Sequence, residues 1–249
     1  MMDVTDKGII LRIGRFKEAD LWVRFLSPER GILTAFAFGG CRSRQRFSGC
    51  LDHLNCVQFR IRGSRMGGYL SLEEGVLQHS PRRLRQDLHR LGLAVNCQKF
   101  MEAMGVSTEG AQPAFGLFEE TLSLLECAED ADPILPLFFR ARFAFDQGYA
   151  LETGRCLHCG TAFAHGAGAV FHVQEGVLFC DRCPVPPGPR FRLGNEALDA
   201  LRLVQEYSPL RWPEIALSAR ARRELTRAVD GFIQFHIGLA WDKGMFRPV

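Results

Sequence analysis

The first eighty residues alternate between apolar and polar positions with the spacing of short β-strands. Runs rich in β-branched and aromatic residues predict five strands, at residues 9–13, 21–26, 32–38, 54–62 and 69–77. Glycine or proline lies in several of the breaks between these runs. Five short strands in this length predict a small β-barrel of the OB type over residues 1–79, although strand spacing alone does not separate it from another small barrel.

From residue 80 onward the apolar spacing becomes helical. Ser80 and Pro81 are typical of a helix start. The predicted buried face of this helix comprises Leu84, Leu88, Leu91 and Val95. Further helices are predicted at residues 115–127, 133–147, 196–206 and 218–238. We therefore expect an α+β multi-domain chain whose α-helical domain is formed in two parts, 80–153 and 190–249, around an insert at 154–185.

That insert contains two Cys-x-x-Cys pairs separated by twenty residues, and they predict a zinc ribbon. The predicted ligands are Cys156, Cys159, Cys180 and Cys183. Two such pairs match a tetrahedral zinc site of four thiolates, and Gly160 supplies the turn that follows the first pair. A redox pair or unconnected buried thiols are the alternatives.

A tetrathiolate site predicts a structural ion, because catalytic zinc keeps one coordination position open for water. We therefore expect one Zn²⁺ that folds a segment too small and too polar to hold itself together. The nearby histidines His158, His165 and His172 are expected to be bystanders rather than ligands.

Charge is segregated along the chain, although the formal net charge is only +3. Residues 1–90 carry 16 basic and nine acidic side chains, a net charge of +7, whereas residues 91–150 have a net charge of −6. A basic, arginine-rich amino-terminal third is typical of contact with a polyanion such as nucleic acid.

Arginines in this third form the predicted DNA-binding set. Its members are Arg42, Arg44, Arg46, Arg60, Arg62, Arg65, Arg82, Arg83 and Arg85. In an extended strand, period two sends Arg60 and Arg62 to the face opposite Phe59 and Ile61. Cations in the first turn of a helix, as predicted for Arg82, Arg83 and Arg85, oppose the helix dipole and suggest a bound anion. A merely solvated surface is the alternative for any single one of them.

Aromatic residues and a second basic stripe leave further alternatives. Tyr69, Phe47 and Trp22 could stack on bases, with core packing as the expected fate of Trp22. The predicted last helix places Arg220, Arg223 and Arg227 on one face, either as a solvated face or as a second contact surface.

Sequence signatures of catalysis are missing. The chain has no Gly-rich phosphate loop ending in Lys-Ser/Thr, no His-Glu-x-x-His and no Gly-x-Ser-x-Gly. We therefore expect no enzymatic activity. No run of about 18 apolar residues and no basic, apolar leader is present, which predicts a cytoplasmic protein with no membrane partner.

The order of these parts resembles the RecO family of bacterial recombination mediators and DNA repair proteins, over essentially the whole chain. The matching segments are residues 8–11, residues 16–20, Gly31, residues 39–42, and Gly148-Tyr149 followed by Leu151 and Cys156-x-x-Cys159-Gly160. The basic loop departs from the family in using arginines where lysines are frequent, and Leu51-Asp52-His53-Leu54 replaces a commoner Leu-Gln-Pro pattern.

The resemblance implies an OB-fold, an interrupted helical domain and a non-enzymatic role in DNA repair and recombination after DNA damage. It implies binding of single- and double-stranded DNA, annealing of complementary strands, and loading of RecA onto SSB-coated DNA together with RecR, in the cytoplasm near the nucleoid. It also implies contact with the acidic carboxy-terminal tail of SSB. The alternative function is a zinc-ribbon adaptor that mainly docks such acidic protein tails.

Overall fold

The computed structural model of the 249-residue chain describes residues 3–43, 45–63, 68–149, 151–164 and 166–249. Its contacts divide the chain into two compact units. The first contains the described residues up to Leu91 together with Gly105–Glu126, and the second contains Gly92–Met104 and Cys127–Val249. Among the described residues, no helix is both long and apolar enough to cross a membrane.

The first unit is built on a closed five-stranded barrel. Its strands are β1 (Asp3–Phe16), β2 (Asp20–Ser27), β3 (Gly31–Ala37), β4 (Cys56–Gly63) and β5 (Leu70–His79). The strand order around the barrel is β1-β2-β3-β5-β4, and all neighbours are antiparallel except β3 and β5. This arrangement confirms the predicted OB-like barrel.

Alternation along the strands fills the barrel interior. The buried cluster includes Val23 and Phe25 of β2, and Val57, Phe59 and Ile61 of β4. The rings of Phe25 and Phe59 are 5.1 Å apart. Apolar side chains are therefore sent inward at every second position, and the intervening side chains of the same strands lie on the outer surface.

Helices α1 (Arg82–Gln86), α2 (Leu88–Met104) and α3 (Ala111–Cys127) follow the barrel. The prediction of one continuous helix through Leu84 and Leu88 is wrong: Leu84 is buried, whereas Leu88 is 84% exposed. Asp87 has an extended backbone, and its carboxylate accepts hydrogen bonds from the N–H groups of His89 and Arg90 at 2.9 and 3.2 Å. It therefore acts as a new helix cap, which rotates the apolar face.

The second unit contains the remaining helices, a zinc-ribbon segment and a terminal hairpin. The elements are α4 (Leu135–Asp146), β6 (Ala169–His172), β7 (Val177–Phe179), β8 (Arg190–Leu193), α5 (Asn195–Glu206), α6 (Ala219–Phe232), β9 (Leu239–Asp242) and β10 (Met245–Pro248). A 3₁₀ turn spans Pro209–Glu214, and a π-helical turn, Ile233–Ile237, extends α6. Strands β6–β8 form a three-stranded sheet in the order β7-β6-β8.

Helices α5 and α6 cap one another through glutamates. Glu224 of α6 accepts a hydrogen bond from Gly194 N at 2.7 Å, and Glu196 of α5 accepts one from Ser218 N at 2.9 Å. Negative side chains at helix N-termini compensate the unpaired N–H groups and the helix dipole. Each helix therefore fixes the start of the other.

Candidate nucleic-acid interface and metal centre

The outer surface of strands β1, β2 and β3 combines cations with aromatic rings. Arg12 of β1 lies opposite Arg24 of β2, and Arg24 lies opposite Thr34 of β3. In the next row, Gly14 lies opposite Trp22, and Trp22 lies opposite Phe36. Val23, Phe25 and Ala35 point into the core between these positions, so both rows face outward. We call this surface the three-strand face.

One end of the three-strand face carries a cluster of four aromatic rings, named here the ring cluster. Its members are Phe16, Phe36, Phe38 and Tyr69. Ring centroids are 4.9 Å apart for Phe16 and Phe36, 6.1 Å for Phe36 and Phe38, and 5.8 Å for Phe38 and Tyr69. Tyr69 is 49% exposed, and Phe16 and Phe38 are each 39% exposed. These rings therefore support one another while presenting apolar surface to solvent.

The indole of Trp22 covers Gly14. A Cβ atom at Gly14 would lie 2.3 Å from indole atoms, so this position has no room for a side chain. Trp22 is half-buried by this contact with the neighbouring strand, and it packs on the outside of the barrel rather than in its core. The glycine thus lets a large ring lie flat on the three-strand face.

The predicted basic loop lies next to the ring cluster. Arg46 donates a hydrogen bond to the carbonyl oxygen of Phe38, and its guanidinium lies 5.2 Å from the ring of Phe47, which is buried. Arg42 is exposed. Arg44 and Arg65 lie outside the described residues. Phe47 therefore cannot stack on a base, whereas Tyr69 can.

The two predicted arginines of β4 point outward as expected, and both face acids. Arg60 lies 3.6 Å from Glu74, and Arg62 lies 3.7 Å from Asp3 and 3.5 Å from Glu73. All are partly solvated, and such pairs are weak and screened by salt. The charge of β4 is therefore partly compensated within the barrel, and its part in DNA binding stays a prediction.

The anion expected at the first turn of α1 comes from the chain itself. Glu126 accepts hydrogen bonds from the backbone N–H groups of Arg83 and Leu84 at 3.0 and 2.7 Å. Arg85 is held internally by contacts of 2.6–3.1 Å to Asp52, His53 O, Asn55 and Ser80. Arg82 and Arg83 are exposed side chains. The electrostatics of the first turn of α1 therefore does not indicate a DNA-binding site there.

The structure brings the four predicted cysteine ligands together. All four sulfur atoms lie within 4.8 Å of one another, and the Sγ atoms of Cys159 and Cys180 are 3.9 Å apart. Tetrahedral zinc with Zn–S bonds of about 2.3 Å requires sulfur atoms roughly 3.8 Å apart. The donor set and its spacing therefore fit one zinc ion.

Tight turns shape each half of this centre. Gly160 has a φ of 68°, and its N–H donates to the carbonyl of Cys156 at 2.9 Å. The amide of Cys180 lies 3.3 Å from the Cys156 sulfur. Cys156 is buried and Cys159 is exposed, so the ion would be covered on one side only. Thiolates that accept backbone N–H groups are typical of metal-binding turns.

The thiols of the centre have divergent pKa values in the absence of a cation. Hydrogen bonds from the Thr161 side chain and backbone lower the pKa of Cys159 to about 6. Desolvation and the neighbouring thiols raise the pKa of Cys183 to about 12. Four thiolates packed this closely repel one another, and a divalent cation removes that repulsion.

Two of the nearby histidines are described, and neither belongs to the sulfur cluster. His158 is exposed on the first turn. His172 is buried in β6, where its Nε2 lies 3.3 Å from the carbonyl of Pro187. His165 lies outside the described residues. For the two described residues, this geometry agrees with the expectation of bystanders.

The terminal hairpin of the second unit presents aromatic surface beside cations. Trp241 is 47% exposed and lies 4.9 Å from Phe246, which packs on Phe100 at 5.0 Å. Lys99 donates to the carbonyl of Gly244 at 2.7 Å and lies 6.0 Å from the Trp241 ring. We call this the hairpin surface.

Sequence reasoning missed most of the three-strand face. The missed residues are Arg12, Phe16, Arg24, Phe36 and Phe38. The sequence does contain a signal for this face. Basic and aromatic residues recur at every second position of a strand, as in Arg12-x-Gly14-x-Phe16 and Trp22-x-Arg24. The prediction of these segments as barrel strands does not by itself indicate which of their side chains share the outer face.

The fold and the centre together define a class: an OB-barrel protein extended by helices and a four-cysteine metal ribbon. Two family models match this chain, Recombination protein O N terminal over residues 1–80 and Recombination protein O C terminal over residues 85–245. The chain belongs to the RecO family of DNA repair proteins.

Relatives named as DNA repair proteins are similar to this chain over nearly their whole length. The chain is 56% identical to DNA repair protein RecO of Nitratidesulfovibrio vulgaris strain DP4, covering 99% of each protein. It is 52% identical to the protein of the same name from Oleidesulfovibrio alaskensis, covering 100% of each. A more distant relative from Anaeromyxobacter dehalogenans is 30% identical over 93% of this chain and 90% of that protein. The chain therefore has a role in DNA repair.

Proposed function

We propose that this protein is a non-enzymatic mediator of recombinational DNA repair that binds single- and double-stranded DNA and anneals complementary strands. The observation that carries the proposal is the three-strand face, where Arg12 and Arg24 lie in one row and aromatic rings in the next. OB-barrels bind nucleic acid on this surface and its adjoining loops. The basic loop adjoins this surface through Arg46, which donates a hydrogen bond to the carbonyl oxygen of Phe38, and the same loop carries the exposed Arg42.

Annealing requires no bond-making chemistry by the protein. Two complementary strands repel one another through their phosphates, and guanidinium groups that neutralise the phosphates raise the local concentration of both strands. The hydrogen-bonding edges of the bases stay free to pair if the protein contacts only the DNA backbone and the flat faces of the bases. The residues of the face supply cations and stacking surfaces, which is all that this mechanism needs.

Family membership supports the proposed partners. We infer that the protein acts with RecR to load RecA onto SSB-coated DNA, near the nucleoid in the cytoplasm. One structural Zn²⁺, held by Cys156, Cys159, Cys180 and Cys183, is the proposed cofactor, and it fits the sulfur spacing. Its contribution is to fold the ribbon, and the DNA contacts are assigned to side chains elsewhere.

An annealing assay tests the proposal. Complementary oligonucleotides coated with SSB are mixed with and without the full-length protein, without nucleotide, and duplex formation is followed by energy transfer between end labels. We expect acceleration that weakens steeply between about 50 and 200 mM salt, because phosphate contacts release counterions. An unaccelerated rate, or acceleration only with ATP, would contradict the proposed function.

A second activity is favoured by the hairpin surface. The exposed Trp241 ring beside Lys99 pairs apolar surface with positive charge. An acidic peptide with an apolar end, such as the SSB tail, complements both features. We propose this surface as the docking site for that tail, in keeping with the adaptor alternative.

Changing Trp241 to Ala is expected to weaken binding of an SSB tail peptide to the full-length protein by about 30-fold, because an aromatic ring that a bound partner buries is a typical hot spot worth about 2 kcal/mol. Fluorescence anisotropy of a labelled peptide measures the change. Tyr69→Ala, which removes an equally exposed ring from the first unit, is the matched control and should leave the affinity unchanged. Equal losses in both variants would argue against the hairpin surface.

A further inference from the structure

The ring cluster has more exposed aromatic surface than barrel packing requires. Tyr69 and Phe38 are 49% and 39% exposed, although their rings touch each other at 5.8 Å. Phe16 is equally exposed at the far side of the cluster, beside Lys17, whose Nζ lies 5.4 Å from the Phe16 ring centroid. Exposed rings that hold one another in place form a rigid apolar surface with cations at its edge.

This combination matches one ligand better than others. A nucleic-acid strand offers flat apolar bases at short intervals along a chain of phosphates, and stacking on aromatic rings tolerates any base because every base has a π-face. Arg46 reaches the carbonyl of Phe38, so a basic side chain lies at the cluster itself. Arg12 and Arg24 add charge farther along the same face.

The aromatic rings and the arginines differ in how they interact with single-stranded and double-stranded DNA. Phosphates are present in both forms, so the arginines can attract either. In a duplex the bases are stacked on one another and paired, and a ring on a protein surface gains no base face unless a base is unstacked. Only an unpaired strand can therefore satisfy the cations and the ring cluster at once.

We propose that the ring cluster of Phe16, Phe36, Phe38 and Tyr69 is a stacking platform for unpaired bases that makes the protein prefer single-stranded over double-stranded DNA. The proposal rests on the proposed DNA-binding function and adds a cause for strand preference. Stacking occupies a base face and leaves the pairing edge open. Formation of the duplex removes the bases from the platform, so the product is held less tightly than the substrate strands.

The test compares single- and double-stranded oligonucleotides of equal length on the full-length protein and on Phe38→Ala, Tyr69→Ala and Tyr69→Phe. Losing a ring is expected to weaken single-strand affinity about 5- to 150-fold, the range for one stacked base, and to change duplex affinity less than about twofold. Tyr69→Phe should retain the preference. A 2-aminopurine base in the single strand reports stacking directly through its quenched fluorescence.

Phe235→Ala is the matched control, because it removes an exposed ring from the second unit. Equal loss of single-strand and duplex affinity in the Phe38 and Tyr69 variants would overturn the platform while leaving DNA binding intact. Unchanged DNA affinity together with altered sedimentation would assign the cluster to protein association, and it would likewise overturn the proposal. If substitution of Arg12 and Arg24 abolished DNA binding while the ring variants bound DNA normally, the stacking platform would be overturned. The proposed DNA-binding function would be retained.

Discussion

Replacing Cys156 and Cys183 together by serine is expected to abolish zinc binding and to unfold the ribbon strands β6, β7 and β8. The four sulfur atoms supply the whole donor set, and serine hydroxyls do not replace thiolates at neutral pH. Metal binding contributes roughly 10–16 kcal/mol to small structural zinc sites, so little of the ribbon's order should survive its loss. We expect the measured zinc content to fall from one ion per chain to none, and amide hydrogen exchange in these strands to become fast.

The control for this change uses a cysteine outside the centre. Cys127→Ser removes an exposed thiol of the same unit and should leave zinc content and exchange unchanged. Acidification should mimic the double substitution, because protons compete with zinc for thiolates and affinity falls as pH decreases. A serine variant that retained one zinc ion per chain would refute the assignment of these four ligands.

Unfolding of the ribbon should reach the neighbouring helices of the second unit. Phe171 of β6 packs against Phe232 of α6 at 6.2 Å, and β8 leads directly into α5. The ribbon thus contributes side chains to the core of this unit rather than standing apart from it. Through this packing, a zinc ion bound by the four cysteines would stabilise more of the unit than its own turns.

Local alternation and cysteine spacing predicted much of the fold. Inward positions of β4 alternate as the sequence indicates, and the two Cys-x-x-Cys pairs converge as expected. The break at Asp87 was missed, because an aspartate between leucines reads equally well as part of a continuous helix. Its capping hydrogen bonds to His89 and Arg90 belong to the folded backbone, and the apolar spacing does not contain them.

The candidate site was harder to predict than the fold. Arg12, Arg24 and Trp22 are neighbours only because β1, β2 and β3 pair in one particular register. Register depends on the bulge in β1 between Ile10 and Arg12, which no composition rule specifies. The predicted DNA-binding arginines are close to one another in the sequence. Arg12 and Arg24 of the three-strand face are distant in the sequence and become neighbours only through strand pairing.

Arg85 illustrates the opposite error of reasoning from charge alone. Its sequence neighbours Arg82 and Arg83 are exposed, but its own guanidinium joins Asp52, Asn55 and Ser80. A cation with that many internal acceptors stabilises the link between the barrel and α1. Basic residues therefore have to be sorted by their contacts before they are assigned to a phosphate surface.

Changing Arg12 and Arg24 together to glutamine is expected to lower the affinity for single-stranded DNA roughly tenfold to a hundredfold at low salt, since two charge-assisted phosphate contacts are lost. The plot of log affinity against log salt should become shallower by about 1.4, or roughly 0.7 for each lost contact. Duplex binding should fall as well, unlike the result of removing a ring.

The matched control removes two exposed arginines of α6, Arg223→Gln and Arg227→Gln, and changes the net charge by the same amount. If long-range attraction by net charge dominated, both double variants would weaken binding equally. In neither variant would the slope of log affinity against log salt then change by as much as the roughly 0.7 expected for one lost contact. If α6 were the phosphate surface, only the control would lose affinity. Because direct contacts alter the slope and distant charges alter mainly the association rate, measuring both quantities in the two variants separates these cases.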